Sequence, residues 1–340
     1  MTDWKALENT AKALVAPGKG ILAADESFPT IEKRFKSIDI PSTEENRQAY
    51  RQMLFQAPGM ENFVSGVILF DETLRQLSTE GERLAEILSG KGVIPGIKVD
   101  MGAKDLAGFP GEKVTEGLDG LRGRLQEYYS LGARFAKWRA VITIGDDIPS
   151  EACIHSNAHA LARYAALCQE ADLVPIVEPE VLMDGDHSIE RCAEVTDASL
   201  KALYSELARQ NVKLEGTLLK PNMVISGKGC STQADVEQVA RETVRILKGA
   251  VPEAVPGIVF LSGGQSSQAA TAHLSAMNRI GGNPWELSFS YGRALQDDAL
   301  KTWAGNPANV AKAQEAFTFR AKMNGAARDG SYTEEMEQAA

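Results

Sequence analysis

The chain has 340 residues and a formal net charge of −10 at pH 7. No basic stripe is present that could displace counterions from phosphates, so the acidic balance argues against a nucleic-acid partner. No apolar run approaches the roughly 18 residues that a membrane span needs, and the polar N-terminus lacks the apolar core of a signal peptide, so we expect a cytoplasmic protein without a membrane partner.

Short β-rich apolar runs alternate with longer amphipathic runs along the whole chain. Eight runs predict strands, at residues 20–25, 64–70, 96–100, 133–142, 173–181, 215–223, 257–264 and 285–291. The amphipathic runs between them predict helices, among them 43–56, 151–171, 188–210 and 233–249. Strand–helix alternation implies parallel pairing, and eight repeats favour closure. The sequence therefore predicts a single-domain α/β fold, the (β/α)8 TIM barrel.

No Pro- or Ser-rich linker divides the chain. Residues 102–123 are rich in glycine and predict a long loop with little regular structure. We assign the barrel to residues 1–323 and expect the small, polar residues 324–340 to form a flexible C-terminal tail. The rival architecture is a doubly wound sheet, but Gly18-Lys19-Gly20 precedes the first strand and lacks the third glycine of the dinucleotide-binding fingerprint.

Charged residues stand near the carboxyl ends of the predicted strands, where barrel enzymes carry their sites. Alternate residues of a strand point to the same side. The pairs that this spacing turns inward together are Lys98/Asp100, Lys137/Arg139 and Glu178/Glu180. A buried charge is costly unless it is paired or used, so these pairs predict a polar site within an apolar shell.

Lys220 interrupts an otherwise apolar predicted strand. Burial and a second cation both favour the neutral amine of a lysine, and Lys137 is a candidate for that cation. A neutral amine attacks a ketone, and the resulting iminium withdraws electrons so that a neighbouring C–C bond breaks without a metal. The alternative is a structural lysine that is paired with Glu178 or Glu180.

Each of the carboxylates can likewise be interpreted as catalytic or as structural. Glu178 and Glu180 are candidates for a general base, but one of them could instead neutralise Lys137 or Arg139. Asp25, at the end of the first strand, either orients the lysine or a substrate hydroxyl or caps the following helix.

Two groups of residues predict anion binding. Ser262, Gly263, Ser290, Gly292 and Arg293 follow the last two strands, where barrels commonly hold phosphate. Their glycines allow close approach of backbone N–H groups, and Arg293 offers a bidentate fork. We expect a second anion site on the opposite side of the barrel mouth, unless its residues form only an exposed basic helix start; they are Ser27, Thr30, Lys33 and Arg34. Two such sites suit a bisphosphate.

The four histidines do not predict a metal site. His155 and His159 are four residues apart but lack the intervening glutamate of H-E-x-x-H, and the other two have no partner at ligand spacing. We expect neither a catalytic metal nor a cofactor. The four cysteines lack CxxC spacing and predict reduced thiols.

Six segments together resemble the class I, Schiff-base-forming fructose-bisphosphate aldolases. They are residues 20–27, 135–139, 174–180, 215–223, 261–265 and 290–295, and they occur in the family's order. The resemblance extends from about residue 4 to about residue 323. It implies a (β/α)8 homotetramer that reversibly cleaves fructose 1,6-bisphosphate into two triose phosphates, dihydroxyacetone phosphate and glyceraldehyde 3-phosphate, in glycolysis, gluconeogenesis or photosynthetic metabolism.

The resemblance also implies individual roles. Lys220 forms the Schiff base, Glu178 is the acid/base, and Asp25 assists C–C cleavage. The implied remainder of the catalytic network is Lys137 and Glu180. The implied contacts of one phosphate are Ser262, Gly263, Ser290, Gly292 and Arg293; those of the other are Ser27, Thr30 and Lys98; and Arg139, Lys33 and Arg34 are further substrate contacts.

Two positions depart from the family pattern. Many members end in a tyrosine whose tail reaches the active site during proton exchange, whereas this chain ends in Gln338-Ala339-Ala340. Met101 stands where a lysine often follows Lys98-Val99-Asp100.

Sedoheptulose 1,7-bisphosphate is an expected second substrate, because its reacting carbons and both phosphates are like those of fructose 1,6-bisphosphate. The alternative from another class is a barrel that binds sugar phosphates without turnover.

Overall fold

Eight parallel strands close into a barrel in the computed structural model, which describes residues 2–339. The strands are β1 (Gly20–Ala24), β2 (Val64–Leu69), β3 (Ile94–Lys98), β6 (Phe135–Ile142), β7 (Val174–Val181), β8 (Leu218–Leu219), β9 (Gly257–Phe260) and β10 (Glu286–Tyr291). They are neighbours in chain order, and β10 pairs with β1 to complete the ring. The predicted single-domain (β/α)8 barrel is confirmed.

Helices surround the barrel, except the first helix, which covers its base. They are α1 (Trp4–Leu14), α2 (Phe28–Lys36), α3 (Glu44–Phe55), α4 (Asp71–Arg75), α5 (Leu84–Gly90), α6 (Leu121–Ser130), α7 (Glu151–Glu170), α8 (Ile189–Arg209), α9 (Val236–Ala250), α10 (Ser267–Ile280), α11 (Arg293–Trp303) and α12 (Val310–Arg328). Three of these helices begin at a capping residue whose side-chain oxygen accepts a hydrogen bond from a backbone N–H of the first turn. The capping residues are Thr43 for α3, Ser188 for α8 and Asp235 for α9.

Two predicted segments differ from the structure. The sixth strand was expected over 215–223, but residues Leu214–Gly216 form a 3-10 helix and only Leu218–Leu219 pair as β8. The ladder cannot continue regularly because Pro221 has no N–H to donate. The glycine-rich segment 102–123 was expected to be irregular, but it contains an antiparallel hairpin of β4 (Ala103–Asp105) and β5 (Lys113–Thr115).

The N-terminal helix α1 closes the base of the barrel, at the amino ends of the strands. Leu7, Ala11 and Leu14 pack in one apolar cluster with side chains that point into the barrel, including Phe135 and Leu218. These side chains are buried. The lower half of the barrel is therefore a solid core, and only the upper half is open to solvent.

The predicted domain boundary after residue 323 falls inside α12. Asn324 is fully buried and accepts a hydrogen bond from Thr271 at 2.7 Å. Further on, the buried Tyr332 donates to Glu337 at 2.9 Å, and Arg320 binds the same carboxylate at 2.6 Å. The division into a barrel and a flexible tail stays a prediction.

Among residues 2–339, no helix combines the length and the apolar composition that crossing a membrane requires.

Gly96 provides a test of the packing at the base. A Cβ at this position would collide with the Phe135 ring. We expect Gly96→Ala to lower the free energy of unfolding in urea by about 1–3 kcal/mol, because the ring must leave its rotamer. Gly249→Ala is the control, since nothing lies within 4 Å of a Cβ there and alanine favours its helix. Equal stability of the two variants would show that Phe135 is not tightly confined.

Candidate active site

A cavity of about 760 Å³ opens at the carboxyl ends of the barrel strands. Ala23, which belongs to the apolar cluster at the base, lines it, so the cavity stands directly on the barrel core. All but one of the predicted site residues line it: Asp25, Ser27, Thr30, Arg34, Lys98, Lys137, Arg139, Glu178, Glu180, Lys220, Ser262, Gly263, Ser290, Gly292 and Arg293. The exception is Lys33, which is exposed on α2.

Four charged side chains meet at the bottom of this cavity. Lys220 Nζ lies 3.2 Å from Glu178 Oε1, and Lys137 Nζ lies 3.4 Å from Glu178 Oε2. Lys137 Nζ also contacts Asp25 Oδ2 at 2.7 Å. The four residues come from β8, β7, β6 and the end of β1, and Lys220, Lys137 and Glu178 are each no more than 4% exposed. The cluster is thus a buried row in which lysine and carboxyl side chains alternate, Lys220–Glu178–Lys137–Asp25.

Mutual attraction sets the protonation states at the Asp25 end of this row. Burial alone would raise the pKa of Asp25, but the charges of Lys137 and Lys220 outweigh burial and hold that pKa well below its usual value. Burial alone would lower the pKa of Lys137, but Asp25 and Glu178 outweigh it and raise that pKa above the value of a free lysine. Asp25 is therefore a carboxylate, and Lys137 is an ammonium, across the neutral range.

Lys220 contacts a carboxylate, as a lysine with a purely structural role would also do. That partner is Glu178, and Glu180 instead accepts from Arg139 Nε at 2.5 Å. Lys137 is close, as expected of a neighbouring cation, but Glu178 lies between the two amines. Geometry alone therefore supports both interpretations of Lys220, and its role is a proposal below.

The first predicted phosphate group is built from two loops that are joined to each other. Gly263 and Gly264 adopt left-handed conformations, with φ of +55° and +84°, which turn the chain sharply after β9. The Arg293 guanidinium donates to the Gln265 carbonyl at 2.5 Å and so connects this turn to the start of α11. The buried Ser290 hydroxyl has no hydrogen-bond partner within the described chain, so it is free to donate to a ligand.

One member of the second predicted phosphate group, Arg34, lies next to the first group. Barrel closure pairs β1 directly with β10, so the residues that follow these two strands are neighbours. The Arg34 guanidinium approaches Gly292 so closely that a Cβ there would be 3.4 Å from Nη2. Ser27 and Thr30 also meet, with their hydroxyls 3.2 Å apart at the start of α2. Arg34 is thus beside the first group, because barrel closure makes the residues after β1 and β10 neighbours. The placement of the second group as a whole on the opposite side of the mouth stays a prediction.

Lys98 extends the second group from the neighbouring arc of the barrel. Its ammonium binds Asp100 at 2.6 Å, which confirms that this pair of alternate residues points the same way. Asp100 also accepts from the backbone N–H groups of Gly102 and Arg139, each at 3.2 Å. Asp100 therefore fixes both Lys98 and the start of the hairpin segment that borders the cavity.

Sequence reasoning missed Glu26 as a site residue. Its buried carboxylate binds Arg34 Nη1 at 2.7 Å and accepts from Gln296 Nε2 at 2.9 Å. Gln296 is itself buried, and it also donates to the Ala23 carbonyl at 2.7 Å. Glu26 thus holds a predicted anion-binding arginine in place. The only signal in the sequence was its position next to Asp25.

The histidine pair of α7 lies outside the cavity. His155 and His159 approach Glu206 on α8 at 3.5 and 3.0 Å. In the part of the chain that the structure describes, no group of three or more His, Cys, Asp or Glu side chains is arranged to hold a metal ion.

No residue between 324 and 339 lines the cavity, so Tyr332 is not placed there as the tyrosine of a tail would be.

Comparison with known proteins gives one consistent family. Residues 6–340 match the family described as fructose-bisphosphate aldolase class-I. The chain is 62% identical to a Xanthomonas campestris protein named "Probable fructose-bisphosphate aldolase class 1", over 96% of this chain and 98% of that protein. It is 56% identical to the cytosolic fructose-bisphosphate aldolase 4 of Arabidopsis thaliana, over 93% of this chain and 81% of that one.

A solved structure agrees with these sequences. It contains fructose-bisphosphate aldolase from Plasmodium falciparum in complex with TRAP and a small-molecule inhibitor. The TM-score is 0.96 at 50% identity, and the match covers 97% of this chain and 95% of that chain.

His273 packs against the turn of the first predicted phosphate group, and the pH dependence of stability tests its protonation state. Its Nδ1 lies 2.6 Å from Gln265 Oε1, and burial lowers its pKa to about 4. In the unfolded chain the imidazole gains its proton near pH 6.5, whereas the folded protein resists protonation until about pH 4. The stability that the neutral ring contributes is therefore complete above pH 6.5 and is lost as the pH falls from 6.5 towards 4.

We expect wild-type stability to fall between pH 7 and pH 5 by about 1–2 kcal/mol more than that of His273→Asn, which has no titrating ring. Urea unfolding at the two pH values measures the difference. Parallel pH dependence in the two proteins would show that His273 is not held neutral.

Proposed function

Because the chain belongs to the class I fructose-bisphosphate aldolase family and is a fructose-bisphosphate aldolase, we propose that it cleaves its substrate through a Schiff base on Lys220. The observation that carries this proposal is the buried row Lys220–Glu178–Lys137–Asp25. A nucleophilic amine, an acid/base and a second carboxylate lie in contact at the bottom of a cavity that two predicted phosphate groups border. Binding alone would not require that trio.

The first chemical step uses the contact between Lys220 and Glu178. The amine of Lys220 attacks the C2 ketone of fructose 1,6-bisphosphate, and loss of water from the adduct leaves an iminium. Protons must leave the amine and reach the departing oxygen, and Glu178 lies within 3.2 Å of Nζ, so it is the group in reach for both transfers. Apolar strand residues around the lysine limit competing water.

The second step breaks the bond between C3 and C4. The iminium accepts the bonding electrons and becomes an enamine, while the C4 hydroxyl loses its proton as glyceraldehyde 3-phosphate forms. We assign assistance of this step to Asp25, which its cationic neighbours keep as a carboxylate. Lys137 holds Asp25 and Glu178 at a fixed spacing. Glu180 belongs to the network through its contact with Arg139.

Protonation of the enamine and hydrolysis of the iminium then release dihydroxyacetone phosphate. The Schiff base returns to a free Lys220, so no group of the protein is consumed. Glu178 is the proposed proton donor at this stage, because none of the tail residues from 324 to 339 borders the cavity.

The two phosphates would anchor the substrate across this row. We propose that one is bound by Ser262, Gly263, Ser290, Gly292 and Arg293. The other is assigned to Ser27, Thr30 and Lys98, with Arg34 and Arg139 as further contacts. Lys33 keeps only a peripheral role, since its exposed side chain does not line the cavity.

Several finer proposals rest on family membership. The plant relatives that are named cytosolic support a cytoplasmic location. We also propose a homotetramer, action in glycolysis or gluconeogenesis, and secondary action on sedoheptulose 1,7-bisphosphate. That longer sugar shares the ketone, the reacting carbons and both terminal phosphates, so the same contacts would hold it.

Borohydride trapping tests the covalent step. Protein incubated with dihydroxyacetone phosphate and then reduced should carry a stable adduct on Lys220, located by peptide mass spectrometry, because reduction fixes the iminium as an amine. The adduct should form equally with and without EDTA. Lys220→Arg is the matched control and should carry none, since a guanidinium does not form the iminium.

Absence of an adduct from folded wild-type protein, or an adduct on another lysine, would remove Lys220 from the mechanism. A barrel that binds sugar phosphates without turnover would then be the better interpretation. Loss of the adduct in EDTA would indicate a metal-dependent reaction instead.

Glu178 and Glu180 form a matched pair for the acid/base assignment. We expect Glu178→Gln to lower kcat by about 10²–10⁴-fold, because a positioned proton carrier is lost. Glu180→Gln should have a smaller effect, since that carboxylate contacts Arg139 and not Lys220. Steady-state cleavage and adduct formation should be measured separately, with thermal melting to verify folding. Unchanged rates of both steps in Glu178→Gln would refute its role.

A further inference from the structure

Lys228 is a cation of the cavity rim that neither the sequence motifs nor the assigned contacts include. It lies in the loop after β8 and lines the cavity together with Gly263 and Gly264. A Cβ on Gly264 would be only 3.1 Å from Lys228 Nζ. The ammonium group is therefore placed directly against the glycine turn of the first phosphate group.

The backbone holds this lysine in position. The N–H of Lys228 donates to the Met183 carbonyl at 2.8 Å, and its neighbours Gly227 and Gly229 donate to the loop after β7 at the same distance. The backbone of Gly227 packs so closely on Gly185 that a Cβ there would be 2.6 Å from the Gly185 carbonyl oxygen. The main chain at Lys228 is thus fixed, while its side chain is about 50% exposed and free to change rotamer.

Asp184 is the partner of the ammonium group in the absence of substrate, at 3.0 Å. The two side chains are about half and two-thirds exposed, so water screens their attraction and the pair is weak. A phosphate monoester carries about −1.5 to −2 charges at neutral pH and presents three acceptor oxygens. A phosphate at the glycine turn would therefore compete effectively with this single carboxylate.

We propose that Lys228 is a further phosphate-binding residue of the site, and that Asp184 holds it at the rim until a phosphate takes the carboxylate's place. This inference rests on the proposed aldolase site, because the ligand is one phosphate of the sugar substrate. Lys228 and Asp184 act in opposite directions: the lysine binds the anion, and the aspartate competes for the lysine. The exchange needs no movement of the backbone.

The test compares three variants with the wild type. Lys228→Met should raise KM for fructose 1,6-bisphosphate by about 3- to 10-fold, with the effect on KM and not on kcat, because one partly exposed charge-assisted contact is lost. Asp184→Asn should lower KM, because the ammonium no longer has a competing anion. Lys228→Arg should restore most of the affinity, since it keeps the charge.

Lys301→Met is the matched control. Lys301 forms a similar exposed pair with Asp297 at 2.7 Å on α11, but neither residue lines the cavity. A change of KM in this variant as large as that in Lys228→Met would attribute the effect to net charge and overturn the proposal. So would an unchanged KM in Lys228→Met. A rise of KM in Asp184→Asn would overturn it as well, because the pair would then act as a brace.

Calorimetric titration with inorganic phosphate gives a readout that does not depend on turnover. Phosphate should bind about 3- to 10-fold more weakly to Lys228→Met and more tightly to Asp184→Asn. Equal affinities in the wild type and Lys228→Met would contradict the proposal even if the wild type is fully active. If no Lys220 adduct forms but these affinities shift as expected, the covalent mechanism fails while the role of Lys228 stands.

Discussion

The buried row of two amines and two carboxylates is the constraint on which the rest of the barrel depends. Each charge alone would cost several kcal/mol in an apolar interior, and removing one member leaves its partner uncompensated. The row is continuous only if β1, β6, β7 and β8 stand at the correct height relative to one another. Strand register, barrel closure and the arrangement of these charges therefore depend on one another. This coupling explains why charges are tolerated so deep in the fold.

Charge is organised differently at the bottom of the cavity and at its rim. At the bottom, Lys137 is shared between two carboxylates and excluded from water, so its position is set by the strands. At the rim, Arg139 and Lys228 reach out from fixed backbone on flexible, partly exposed stems. The proposed reaction groups therefore stay in place, while the proposed phosphate-binding groups can adapt. The buried contacts of Glu26 and Asp100 provide an intermediate level, because they restrain Arg34 and Lys98 without closing the cavity.

Local patterns were sufficient for most of the fold and for the centre of the site. The eight strands were predictable from apolar runs, and the inward pairing of Lys98 with Asp100 followed from the two-residue period of a strand. Contacts between residues that are far apart in the sequence were harder to predict. The approach of Arg34 to Gly292 was not predicted, because it depends on the closure that makes the residues after β1 and β10 neighbours. Glu26 was missed because its partner Gln296 is 270 positions away in the sequence. The hairpin of β4 and β5 escaped notice because three-residue strands carry almost no periodicity.

The packing of α1 against Phe135 and its neighbours determines how molecules pass through the site. Since the base of the barrel is filled, the cavity is a well with a single opening. Two products are made from each substrate, and both must leave by the route through which the substrate entered. In the proposed mechanism the triose that is not attached to Lys220 departs first, because the other stays tethered until its iminium is hydrolysed. With a single opening, the proposed tether gives product release a fixed order, and in the reverse direction it requires the tethered triose to load before the free one.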